Sequence, residues 1–151
     1  MFKLRRYKIG FDPWGLRLIL LIMLPNLIWF AVPAPQDVLR GASGTPAIDT
    51  AASVFQVFLV AGLCGLRNRD AQKSARRKML VGIGTAVAAD WLGWICYYGG
   101  IANAPVILLL CIAPCAAVLL FALERKNALA AGSAMAFLAC HAASAILNFI
   151  M

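Results

Sequence analysis

Residues 67–98 read RNRDAQKSARRKMLVGIGTAVAADWLGWICYY, and the two halves of that stretch decide the fold class. The first twelve residues carry six cations against one acid. The next twenty carry one charge, Asp90. A helix needs about 20 predominantly apolar residues to cross the hydrocarbon of a bilayer, so Met79–Tyr98 reads as a membrane span with a basic block at its start.

The same alternation continues in both directions. Apolar runs cover about Trp14–Val32, Thr50–Leu66, Ala104–Leu123 and Leu129–Met151, giving five spans in one helical bundle, 1–151. The second run is the shortest. Composition agrees: 63% of the 151 residues are hydrophobic and 13% are charged, whereas a soluble domain is about half apolar and a quarter charged. The expected fold is therefore all-α and polytopic.

Charge placement sets the expected orientation. Lys3, Arg5, Arg6 and Lys8 precede the first span, and Arg125 and Lys126 separate the fourth from the fifth. Residues 33–49 hold Arg40 against Asp37 and Asp49, and residues 99–103 hold no charge. Basic loops thus alternate with non-basic ones. The positive-inside rule places the N-terminus in the cytoplasm and the C-terminus outside, as expected for a multi-pass protein of a bacterial cytoplasmic membrane. The net charge of +8 follows from this topology, and no nucleic-acid partner is expected.

In FDPWGL, residues 11–16, Asp12 suits a helix N-cap and Pro13 the first helical position. The basic start also has a signal peptide's outline, but the run is long and AVPAPQ, residues 31–36, is blocked by proline at the candidate cleavage region. The loop after the first span holds several prolines and glycines, which suits a connector or a cover over an outward-facing opening.

A polar or helix-breaking residue interrupts every span. Asn26, Gln56, Asp90, Cys111 with Pro114, and His141 all fall about 14–18 Å from the basic end at ~1.5 Å per residue, near the middle of a ~30 Å core. Asn and Gln can serve as hydrogen-bonding glue between helices, and Pro25 and Pro114 can be plain kinks. Asp90 and His141 carry more weight, because an ionisable group at the bilayer centre costs at least about 2.5 kcal/mol and marks a site. The two are expected to meet, sharing a proton or orienting a ligand, or else locking the third span to the fifth. Gly82, Ala86, Asp90, Gly93 and Tyr97 share one helix face, with Trp94 and Tyr97 flanking Asp90. His141, Ser144 and Asn148 form a polar stripe, and Gly132, Ala136, Cys140 and Ser144 form a ladder of small residues suited to packing.

The expected function is binding or transport of a small molecule at a midplane site of Asp90, His141, Asn26, Gln56, Trp94 and Tyr97. The alternative is a non-catalytic accessory or assembly subunit. A metal or redox site built from Cys111, Cys115, His141 and Asp90 has no familiar spacing, and no CxxC is present. No nucleophile–base spacing defines a reaction, and no cofactor is indicated. Lipid, a small ligand and a second copy of the chain are the expected partners.

FDPWGL followed by MLPNLIWFAVPAP, residues 23–35, resembles the N-terminal signature of small, uncharacterised bacterial integral-membrane proteins. That resemblance covers about the first quarter of the chain and implies no chemistry. The size, five spans and tryptophans are similar in architecture to the tryptophan-rich sensory (translocator) protein family, which would imply a tetrapyrrole or sterol ligand.

Overall fold

The computed structural model describes residues 7–69, 71 and 77–151. Lys3, Arg5, Arg6, Lys73 and Arg76 of the basic segments lie outside the described residues. Among the described residues, five helices are long and apolar enough to cross a membrane: α1 (Pro13–Ala31), α2 (Pro46–Gly65), α3 (Arg77–Tyr98), α4 (Ala104–Glu124) and α5 (Ala128–Phe149). A short antiparallel ladder pairs β1 (Tyr7–Ile9) with β2 (Leu66–Asn68), an addition that the apolar-run reading did not contain.

Local chemistry sets the helix starts. Asp12 Oδ1 accepts from the amides of Trp14 and Gly15 at 3.0 and 3.5 Å. Asn103 and Asn127 cap α4 and α5 through Val106 N and Ala130 N, each at 3.1 Å. Pro46 opens α2 four residues earlier than the expected Thr50. Asp49 therefore lies in the first turn of α2, not in a loop, and Asp90 is not the only acid within a span.

The basic segments collect at one end of the bundle. Asn68 Nδ2 donates to the Lys126 carbonyl at 2.7 Å, and Tyr7 Oη accepts from Ala128 N at 3.1 Å. Buried Asn127 donates to the carbonyls of Gly62 and Leu66 at 2.8 and 3.1 Å. It thereby fastens the end of α2 to the start of α5. Arg125 reaches Asp12 Oδ2 at 3.5 Å.

α2 packs most extensively on α5, α3 on α4, and α4 on α5, while α1 lies more loosely across α2, α3 and α4. The core accordingly centres on α4, where Ala117 and Ala122 are wholly enclosed among Leu63, Val87 and Ala130. Small residues set the closest approaches. A Cβ on Gly15 would come within 2.7 Å of the Leu63 carbonyl oxygen, and one on Gly93 within 3.0 Å of Leu110. The small-residue ladder of α5 is not a continuous packing face. Gly132 is exposed with open space around it, and the buried face runs through Ala130, Ala131, Ala134, Ser144 and Ala145.

Proline in α1 has a structural answer. Pro25 cannot donate to the carbonyl of Leu21, four residues back. The indole N–H of Trp91 on α3 fills that role at 3.1 Å. Asn26 turns its amide back to the Ile22 carbonyl at 3.3 Å. The break in α1 is thus closed by a neighbouring helix, as membrane interiors require of any freed backbone group.

Candidate functional site

At the end opposite the basic segments, residues 33–45 fold back over the bundle. Asp37 organises them. Its carboxylate accepts from Trp29 Nε1 at 2.9 Å, Tyr97 Oη at 3.0 Å, the Ala34 amide at 3.3 Å and Arg40 Nε at 2.7 Å. Partial burial pushes the Asp37 carboxyl up, but the donors from Trp29, Tyr97, Ala34 and Arg40 together outweigh it and hold the group below the ordinary carboxylate value. Tyr97 also accepts from the Leu39 amide at 3.1 Å, and Tyr98 donates to the Val32 carbonyl at 2.7 Å. Trp94 sits between Trp29 and Tyr97, with ring centroids 6.2 and 5.8 Å away.

Beneath this cover lies a groove with a volume of about 280 Å³. Every helix supplies part of its wall. Asn26 and Trp29 come from α1, Asp49 from α2, and Trp94 from α3. Ile107, Leu110 and Cys111 come from α4, and α5 gives His141, Ser144 and Asn148. Leu39 and Ser43 of the covering loop close one side. Among the described residues no Lys or Arg borders the groove.

A hydrogen-bonded rim holds the polar end. Ser144 Oγ donates to Asp49 Oδ1 at 2.5 Å, and Ser43 Oγ donates to Asp49 Oδ2. Asn148 donates to Thr45 Oγ1 at 2.8 Å and accepts from the Gly44 amide at 2.6 Å. His141 stands apart from that network. Its ring stacks on Phe137, with centroids 5.1 Å apart and planes 13° from parallel. It has no hydrogen bond among the described residues; it is exposed and borders the groove. Asp49 is close enough to act on it electrostatically. Ser144 serves the carboxylate and not the imidazole, so the arrangement lacks the base-to-hydroxyl contact that activates a nucleophile.

Of the residues expected to form the site, Asn26, Trp94 and His141 border the groove. Tyr97 lies just behind it, fully buried and bonded to Asp37. Gln56 is half-buried on α2, does not border the groove and has no hydrogen bond among the described residues. Asp90 is fully enclosed, beside Cys115 of α4, and among the described residues neither of its carboxylate oxygens meets a hydrogen-bond donor. The expected proton-sharing contact with His141 is therefore not formed: the carboxyl faces the α3–α4 seam, and the imidazole faces the groove. Nor do Cys111, Cys115, His141 and Asp90 converge, since among the described residues no three such ligands could hold a metal ion.

The acid that His141 does approach, Asp49, was absent from the expected set. The signal for it was Thr45-Pro46, which starts α2 early and turns Asp49 inward. Ser144 and Asn148 were visible as a polar stripe, but Ser43 had no sequence signal. No known protein family matches the chain, and no curated protein or solved structure does either.

Proposed function

We propose that the protein binds a small molecule in this groove, and that movement of the ligand across the membrane uses the same site. One observation carries the reading. All five helices converge on a cavity bordered by a histidine near mid-span, without a hydrogen bond among the described residues, by two indoles and by a hydrogen-bonded carboxylate. Mostly apolar pockets with a few convergent polar groups are the usual form of a ligand site, and ionisable groups within membrane spans commonly line ligand or ion pathways.

A thermal-stability screen of the purified protein against neutral, cationic and anionic small molecules tests the proposal. Hits are expected to raise the unfolding midpoint, and to lose that effect in His141→Phe and Asn26→Leu proteins of normal folded yield. A screen with no hit, or hits indifferent to both substitutions, would overturn it.

The charge alternation supports a cytoplasmic N-terminus, an external C-terminus and a place in a bacterial inner membrane. The groove then opens outward. Alkaline phosphatase fused after Met151 is expected to be active, and a fluorescent protein there dark; the reverse would invert the topology.

A second reading, an assembly subunit or homo-oligomer, is favoured by Gly84 and Gly132. Both lie on the exterior with nothing near where a Cβ would be, so another helix could approach closely. Bulky substitutions there should leave a monomer unaffected and disrupt an oligomer on size-exclusion chromatography.

A further inference from the structure

The groove's donors and acceptors are out of balance, and the imbalance names a ligand class. At the rim, the hydroxyls of Ser43 and Ser144 and the amide nitrogen of Asn148 are already given to Asp49 and Thr45. Acceptors are left over. A carboxylate offers about four lone-pair sites; the two serines occupy two of Asp49's and the Thr45 hydroxyl reaches a third, which leaves one open together with the negative charge. Asn26 spends its amide nitrogen on Ile22, which leaves its carbonyl oxygen. A neutral His141 presents one acceptor nitrogen and one N–H donor, and with the Trp94 indole N–H these are the nitrogen donors of bordering side chains left unspent among the described residues, fewer than the open acceptors. The bordering residue Leu110 carries the carbonyl to which Pro114, four residues on, cannot donate.

Charge and aromatic faces lean the same way. Asp49 is the one carboxylate bordering the groove, and no described Lys or Arg borders it to balance that charge. Arg40 is turned to Asp37, with its guanidinium 4.8 Å from the Trp29 ring centre. That contact shows the molecule already using one indole as a cation's platform. Trp94 borders the groove as a second indole, packed against Trp29 and Tyr97.

We propose that the groove selects an organic cation: an amine whose ammonium group is held by Asp49 and the Asn26 and His141 acceptors, with its apolar body against Trp94, Ile107 and Leu110. This rests on the small-molecule reading above and narrows it. The volume of about 280 Å³ lies at the small end of ligand pockets, which run ~300–1,000 Å³, so the body is about one aromatic ring with a short chain.

Three probes that share a ring and differ in charge test the proposal: phenethylamine, phenethyl alcohol and phenylacetate. Each is titrated calorimetrically at pH 7 into the full chain in phosphatidylcholine nanodiscs, with empty nanodiscs as the blank. The ammonium is expected to saturate one site at least tenfold more tightly than the alcohol, with no binding of the carboxylate. Asp49→Asn should weaken the amine at least tenfold and erase its advantage over the alcohol. Because Asp49 also ties the rim, Asn26→Leu serves as the second variant, expected to weaken the amine severalfold with the rim bonds intact. Equal, variant-sensitive binding of amine and alcohol would overturn the cation class and leave the small-molecule reading standing. Binding of the carboxylate alone, or of none of the three, also overturns the cation class; the broader screen then judges the groove by itself.

Discussion

Asp90 and Trp91 are neighbours in sequence with opposite fates. The Trp91 indole closes the gap that Pro25 leaves in α1. Hydrogen bonds between membrane helices average about 0.6 kcal/mol and reach about 1.7. Trp91→Phe, which keeps the ring and removes the donor, should therefore cost about 1 kcal/mol, read as a lowered midpoint in detergent unfolding. Asp90 meets no donor among the described residues, so its removal breaks no hydrogen bond among them. Asp90→Leu is expected to leave the unfolding midpoint unchanged or raised. A sharp loss of folded yield would instead show that the carboxyl has a partner in the bilayer-embedded protein.

The elements were largely legible from the chain because bilayer thickness imposes one length on every span, and the first, third, fourth and fifth runs lie close to α1, α3, α4 and α5. The start of α2 differs from the expected Thr50 because hydropathy weighs Pro46 and Asp49 against a span, while Thr45-Pro46 is a local start signal that acts regardless of hydropathy. The site was less legible. Depth along a helix follows from counting residues, but which face meets which neighbour depends on how helices rotate against one another. Asp90 and His141 share a depth and face different seams. Contacts such as Gly15 against Leu63 fix those rotations. With a Cβ 2.7 Å from a backbone oxygen, Gly15→Ala must push α1 off α2. Overpacking of this kind costs about 1–3 kcal/mol, and the substitution should lower the unfolding midpoint more than Gly132→Ala, whose Cβ meets open space.

At the scale of the whole molecule, Asp37 joins α1, α3 and the covering loop into one unit. Its carboxyl is held below the ordinary value of 3.8. A depressed folded-state pKa means stabilisation that is fully present above the unfolded value and lost as pH falls through the folded one. The cover should stay docked at pH 5 and loosen below about pH 4. Hydrogen exchange at residues 34–40 would report this as faster amide exchange, and Asp37→Asn should show the fast pattern already at neutral pH. Acid loosening that Asp37→Asn leaves unchanged would assign the effect to another carboxyl.

Because each of the five helices contributes a wall to the groove, the cavity has no existence in a partly inserted chain. α5, last of the five in chain order, brings the histidine and two of the rim residues. If the groove takes the proposed ligand, that molecule meets it only after α5 has docked, and would then rescue a poorly assembling variant by trapping the finished bundle, not by guiding the earlier insertion steps.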